Sequence, residues 1–459
     1  MERTPLREQA KECFHAAVAA ADPYRCVASH VHIGEDGGLV IGAKKGEKGH
    51  DIHKLRIYAV GKASLLMMKA ALDVIPTALR VGRAIAITTQ ENMALFSVHH
   101  PRWADDYGVS VYVGGHPVPT QEGMAAAQAL YEDAQQGQEG EVVLFLVSGG
   151  GSALVPLPVE GVSLEDKMAT TNALLKSGAT IHEVNVVRKH LSRLKGGWLA
   201  RHIYPARSHA LILSDVVGDD VSSIASGMTV PDPSSFRESL QILEKYALTA
   251  DIPASVTYHL QQGVLGKRPE TLKDDDVIAR HSTATLIGSN RMSVHAALAH
   301  ASSLGFDATL WRVDVSGEAR LVAQQCVDAL MRDGQQKGWE KKRAWVFGGE
   351  TTVRVRGSGL GGRNQELGVA FAEACARHGV RGRWAFLSGG TDGRDGPTDV
   401  AGALIDETSY DRWQQAGDNP RCFLDNNDTY TLLTAHHDAL AWHATGTNVA
   451  DVQIFLWQA

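Results

Sequence analysis

The sequence predicts an α/β fold: two layered, Rossmann-like domains with mostly parallel sheets around a central cleft. Three observations carry that expectation. Five short aliphatic and β-branched runs, at 55–60, 141–147, 210–213, 344–347 and 384–387, end in small-residue loops and lead into helical spacing. These runs are apolar without alternation, the pattern of strands buried on both faces of a parallel sheet. The chain has 459 residues, 44% of them hydrophobic, enough for two large domain cores.

Taken in order, LRIYAV (55–60) is the first strand, followed by Gly61, Lys62 and an apolar helix. Helical spacing fills 121–136, and EVVLFLV (141–147) runs into Ser148-Gly149-Gly150-Gly151-Ser152. Ser163 with Asp166 makes a capping-box helix start. Residues 182–203 read as one helix with Val184, Val187, Leu191 and Leu194 on a stripe. ALIL (210–213) leads into Ser214-Asp215. The polar run at 263–282 reads as a surface excursion and boundary, giving an N-terminal domain at 1–240, a connector at 241–283 and a C-terminal domain at 284–459. There AWVF (344–347) precedes Gly348-Gly349-Glu350, and 351–356 alternates as a half-buried strand. Residues 364–378 are helical, and WAFL (384–387) runs into Ser388-Gly389-Gly390-Thr391-Asp392.

Composition excludes several function classes. The net charge of −7 gives no basic excess for nucleic acid. Five scattered cysteines (Cys13, Cys26, Cys326, Cys375, Cys422) without a CxxC pair argue against a disulfide framework or zinc ribbon and fit a reducing cytoplasm. No apolar run reaches the ~18 residues of a membrane helix, and the first residues lack the apolar core of a signal peptide. The expected partner is a small-molecule substrate, with no nucleic acid, no membrane and a homodimer possible.

In sheets of this kind ligands bind beyond the carboxyl ends of the strands, where all five loops fall. The bare N–H groups of 148–152 and the helix start after them form an anion cradle; a tight turn is the simpler alternative. Gly61-Lys62-Ala63-Ser64 resembles the tail of a P-loop, but the full spacing fails, so Lys62 is either a phosphate-neutralising or a solvated lysine. Asp215, Asp219 and Asp220 follow a strand and suit Mg²⁺ or turn formation equally. Gly357, Gly359 and Gly362 match G-x-G-x-x-G. The next strand ends in glycines instead of the ribose-binding acid, so the loop reads as a phosphate cradle with Arg363 as fork donor. Asp392, Asp395 and Asp399 lack EF-hand spacing and are left for magnesium or for holding a basic residue. His116 sits in Gly115-His116-Pro117, near the site or in a plain turn. The basic run Arg188, Lys189, His190, Arg193, Lys195 is a cleft face or a solvated one. Together this inventory fits phosphoryl transfer.

With these segments on the page the chain resembles the class II glycerate 2-kinases, which join a glycerate-kinase N-terminal region to a C-terminal MOFRL domain. Eleven stretches in order carry the likeness, among them VGKAS (60–64), VSGGGSALVPLP (147–158), SDVVGDDVSSIASG (214–227), GSNR (288–291), GGETTVRVRGSGLGGRNQEL (348–367), NDTY (427–430) and TGTNVAD (445–451). The resemblance implies ATP- and Mg²⁺-dependent phosphorylation of D-glycerate at its 2-hydroxyl, with Lys62 and Arg363 as the catalytic pair. It places the C-terminal region's boundary near 336. The combined reading adds Asp215 to catalysis. It assigns nucleotide contacts to Ser148, Gly149, Gly150, Gly151, Ser152, Gly359, Gly361, Gly362 and Asn364. Substrate contacts fall to His116, Arg188, Asn290 and Glu350, and magnesium to Asp219 and Asp392. Lys62 and Arg363 are each expected to be removable without loss of the fold. Two departures stand out: Met228 replaces the family's proline after Ser226-Gly227, and the C-terminal motif lacks its first glycine-proline. The alternatives are an NAD(P)H-dependent hydroxypyruvate reductase and a non-catalytic nucleotide- or anion-binding module.

Overall fold

The computed structural model describes residues 5–34, 38–42, 52–216, 218–338 and 341–459. They divide into two compact units, Pro23–Ile287 and Met1–Asp22 with Gly288–Ala459.

The Pro23–Ile287 unit carries a hairpin of β1 (Val31–Ile33) and β2 (Leu39–Ile41). Its six-stranded sheet contains β3 (Leu55–Val60), β4 (Ala84–Thr88), β5 (Val109–Val113), β6 (Val142–Val147), β7 (Arg207–Leu213) and β8 (Ser282–Gly288), in the order β5-β4-β3-β6-β7-β8. The pairings from β5 through β7 are all parallel. Register places Val60 beside Val147 and Val147 beside Ile212, so Lys62, Gly149 and Ser214 leave adjacent strand ends at one level. Tyr58, Phe145 and Ile212 pack with Ala126, Ala127 and Leu130 from the helix Gln121–Ala134. The capping box at Ser163 and Asp166 forms as expected.

Two expectations are corrected in this unit. The stretch 182–203 is two helices, Ile181–His190 and Trp198–Ile203. Gly196 and Gly197 break it at φ 61° and 79°, left-handed backbone that favours glycine, and a Cβ at Gly197 would lie 2.2 Å from Leu272 Cβ. The polar run 263–282 is no connector. It folds back onto that break, burying Thr271 and Leu272, and Leu272 N–H donates to Gly196 O at 3.0 Å.

The second unit's sheet contains β9 (Asp307–Leu310), β10 (Val315–Glu318), β11 (Arg343–Thr352), β12 (Arg383–Gly390), β13 (Gly402–Asp406), β14 (Ala439–Leu440) and β15 (Asp451–Gln458). Its order is β10-β11-β15-β12-β13-β14, with β9 also on β11. The α/β layering is as expected, but this sheet is mixed. β9 and β10 run parallel to β11, whereas β15 inserts antiparallel between β11 and β12, and β13 and β14 pair antiparallel. An apolar run reports burial on both faces; it says nothing of strand direction. β11 also runs unbroken through Gly348-Gly349 to Thr352, so 351–356 is not a separate strand.

Both faces of this sheet are covered. Trp345, Phe347, Phe386, Phe455 and Trp457 point to one, where Phe371 of the helix Arg363–His378 stacks on Phe386 at 3.9 Å between centroids. Ala344, Val346, Ala385, Leu387, Ile454 and Leu456 point to the other. There the helix Leu6–Ala20 seats Leu6, Ala10, Cys13, Phe14 and Ala17 at helical spacing. That contact is why the first helix belongs with the C-terminal unit.

Candidate active site

In the Pro23–Ile287 unit, residues from four strand ends meet at the turn after β6. Gly150 takes φ 83°, and Gly149 comes so close to Asp215 that a Cβ there would lie 2.1 Å from its Oδ2. Glycine therefore admits the Asp215 carboxylate, which accepts the Gly150 N–H. Burial raises the Asp215 pKa, opposed by backbone hydrogen bonds and by the Lys62 charge. Lys62 is held by its backbone: its N–H donates to Gly149 O at 2.9 Å, and Ala63 N–H donates to Ser148 Oγ at 3.0 Å. Among the described residues the Lys62 ammonium has no hydrogen-bond or ion-pair partner. His116 lies over the turn, 3.1 Å from where a Gly150 Cβ would stand; burial and the Lys62 charge lower its pKa.

The segment after the turn is gripped by three more cations. Arg188 Nη2 donates to Ser152 Oγ at 2.8 Å, Lys195 Nζ to Ser152 O at 2.6 Å and Lys167 Nζ to Pro156 O at 3.4 Å. Lys167 and Lys195 are buried, and none of the three has a carboxylate partner among the described residues. Burial, and after it the neighbouring cations, lower the Lys167 pKa to about 7 and that of Lys195 well below the usual lysine range. Ser226 Oγ, 2.8 Å from Ser152 Oγ, comes from a turn in which Ala225 and Ser226 take φ 49° and 59°. Two consecutive non-glycine residues in left-handed backbone cost about 1–2 kcal/mol each and are typical of functional sites. Met228 is buried in the core beneath them.

The second unit assembles a different kind of site. Asp451 opens β15 between Gly349 of β11 and Gly390 of β12. Arg363, at the start of its helix, grips Asp451 with a two-point fork: Nε to Oδ2 at 2.6 Å and Nη2 to Oδ1 at 2.8 Å. Its Nη1 lies 3.1 Å from Glu350 Oε1. Asp451 is fully buried. Asn290 Nδ2 donates to Val449 O and Asp451 O, both at 2.8 Å, and so fixes the strand start that carries this carboxylate.

Several expected nucleotide contacts turn inward instead. The N–H groups of Arg356 and Gly357 donate to Asn427 Oδ1, that of Ser358 to Asn426 Oδ1, that of Gly359 to Asn426 O and that of Leu360 to Asp428 Oδ1. A Cβ at Gly359 or Gly361 would strike Asp428 or Thr429, and one at Gly362 the Asp395 carboxyl at 2.3 Å. The glycines of the 357–362 loop thus admit the chain's own Asn426–Asp428 segment and Asp395. Asn364 N–H and Gln365 N–H donate to Asp395 at 3.1 and 2.8 Å, so the helix N-terminus already holds an anion. Asn364 is fully buried, its Oδ1 accepting from Ser388 Oγ at 2.6 Å. Burial raises the Asp395 pKa to about 6, helped by Asp451.

Of the remaining aspartates, Asp220 accepts from Ser222 and Ser223 and shapes its own turn. Asp219 has φ 56°, and Asp392 accepts the Arg394 N–H at 3.0 Å. Among the described residues no three His, Cys, Asp or Glu side chains gather as a metal cage. No described helix is long and apolar enough to cross a membrane. Sequence reasoning missed Lys167 and Asp451: Lys167 looks like any helix-surface lysine, whereas Asp451 closes a recognised motif, TGTNVAD, without a visible partner.

Residues 9–261 match the family described as Domain of unknown function (DUF4147), and 343–451 match the MOFRL family. The chain is 36% identical to a glycerate 2-kinase of Pyrococcus horikoshii over 98% of this chain and 97% of that one. It is 38% identical to a D-glycerate 2-kinase of Thermotoga maritima over 88% and 91%. The crystal structure of a glycerate kinase from Thermotoga maritima superposes with a TM-score of 0.82 at 34% identity, covering 98% of this chain and 99% of the other. The chain belongs to the glycerate 2-kinase family.

Proposed function

We propose that this enzyme transfers the γ-phosphoryl group of ATP to the 2-hydroxyl of D-glycerate, giving 2-phosphoglycerate and ADP. The observation that carries the reading is the β6 turn, where a buried carboxylate and an ammonium without an ion pair among the described residues flank an anion cradle. Phosphoryl transfer asks little of a protein beyond positioning and charge neutralisation. The N–H groups of 149–152 orient anionic oxygens. Lys62 balances charge moving onto the transferred group. Asp215, whose pKa burial lifts toward neutrality, accepts the 2-hydroxyl proton. His116, kept neutral, closes the turn's outer side.

In the other unit Arg363 keeps two of its five N–H donors outside the Asp451 and Glu350 bonds, available to phosphate oxygens. The carboxylates fit Mg²⁺, which takes one or two protein ligands beside phosphate and water. Asp219 in the one unit and Asp392 in the other are separate candidate ligands, and the ion would supply charge neutralisation on the nucleotide. The reductase reading finds no support at 357–362, because the N–H groups of 357–360 donate to Asn426, Asn427 and Asp428.

The test is ADP release by the purified protein with MgATP. The reading expects release dependent on D-glycerate. NADH oxidation with hydroxypyruvate and no ADP would replace it with the reductase.

A further inference from the structure

We infer that Ser152 and Arg188 form a one-anion seat for the substrate's carboxylate, and that Lys167 and Lys195 are positioning residues that hold that seat from behind. The inference rests on the hydroxy-acid kinase reading above.

Geometry comes first. Arg188, Lys195 and Lys167 rise from three places: the helix Ile181–His190, the turn after it and the helix Leu164–Lys176. All three address the single stretch 152–156, through Ser152 Oγ, Ser152 O and Pro156 O. The strained turn at Ala225 and Ser226 braces the same place: Ser226 Oγ meets Ser152 Oγ, and Ser226 O accepts the N–H of Gly196, next to Lys195.

Charge comes second. Lys189 adjoins Arg188 in sequence and is more deeply buried, and it pairs with buried Asp232 at 3.2 Å. That is how a structural lysine is normally accommodated. Lys167, Arg188 and Lys195 have no such acid among the described residues, and burying cations together without a counter-charge is costly. Among the described residues, the charged groups coupled to Lys167 and Lys195 are members of this cluster. The missing charge is one that arrives with a ligand.

Size decides the ligand class. The seat is one turn long, which suits a single carboxylate; a polyphosphate needs a row of donors. Lys62, just beyond the end of β3, packs against Gly150, two residues before Ser152 in the turn. In a 2-hydroxy acid the carboxylate is one carbon from the reacting oxygen, so its seat belongs beside the phosphoryl-neutralising lysine.

An anion in the seat favours the charged lysines, so binding draws protons from solvent. With burial lowering both lysines in the empty protein, Lys167 to about 7, D-glycerate binding at pH 8 should take up protons.

The experiment pairs Lys167→Met with titration calorimetry of the wild-type chain in two buffers of different ionisation enthalpy, using D-glycerate as probe. Proton uptake in the wild type is expected, and a smaller uptake in the variant. In steady state the variant's KM for D-glycerate should rise about tenfold or more, with KM for ATP and kcat within about threefold. The preference for D-glycerate over glycerol, which lacks the carboxylate, should shrink by the same factor. A rise in KM for ATP instead would assign the seat to phosphate and overturn the inference. So would unchanged KM values with lowered thermal stability, the mark of a structural lysine. A wild-type chain that does not turn over D-glycerate would fail earlier and separately, at the kinase reading itself.

Discussion

Replacing Lys62 by methionine keeps the aliphatic stem and removes one charge. The structure makes this an unusually clean removal. The ammonium has no ion-pair or hydrogen-bond partner among the described residues, so nothing is orphaned when it goes. A unit charge about 4 Å from a developing charge, at an effective dielectric near 20, is worth about 4 kcal/mol at full charge. Phosphoryl transfer moves only part of a charge, so about 2–4 kcal/mol is at stake and kcat should fall about 30- to 10³-fold. The same charge lowers the pKa of both Asp215 and His116. In the variant both should therefore titrate at higher pH, and the acid limb of the rate profile should move up. Steady-state ADP release across pH, with thermal melting as the fold control, reads all three effects. A kcat within threefold of wild type, or an unmoved acid limb, would refute the reasoning.

Arg363→Ala should behave differently, against the expectation that either cation can be removed without cost to the fold. It strands buried Asp451 beside Asp395, so it should cost about 3–5 kcal/mol of stability as well as activity. Adding Asp451→Asn should restore the melting temperature without restoring turnover; thermal melting of both variants checks this. If Asp215 is the proton acceptor, kcat/KM should fall as pH drops through its raised pKa, above the usual aspartate value of about 4, and Asp215→Asn should abolish that limb. Asp395 keeps its proton in the folded chain up to about pH 6 but in the unfolded chain only to about 4. Its stabilising contribution is complete below pH 4 and lost as pH rises through 6, a slope that Asp395→Asn should remove from urea-unfolding curves. Phe386→Ala, which deletes the ring stacked on Phe371, should cost about 3–5 kcal/mol by the same measurement.

The parallel sheet of the Pro23–Ile287 unit was legible because each strand is an unbroken apolar run followed by small residues at its carboxyl end. Lys62, Asp215 and 148–152 were legible with it, since parallel register carries strand-end residues to one edge. The second sheet was less so. VQIFLW at 452–457 is as apolar as any strand, but apolarity cannot tell that it returns antiparallel between β11 and β12. The glycine loop at 357–362 was ambiguous for a related reason. Close approach requires glycine whether the approaching group is a phosphate or the chain's own Asn426–Asp428 segment, and spacing does not distinguish them. Ion-pair partners such as Arg363 with Asp451 are 88 residues apart and meet only once the sheet forms. Lys167 became visible as part of a cation cluster through burial alone.

The account stands most directly on the identity of the product. D-Glycerate, MgATP and the purified chain should be coupled to enolase with no phosphoglycerate mutase present. Immediate formation of phosphoenolpyruvate, stoichiometric with ADP, is the predicted result. ADP release with no phosphoenolpyruvate until mutase is added would mean phosphorylation at the 3-hydroxyl and would contradict it.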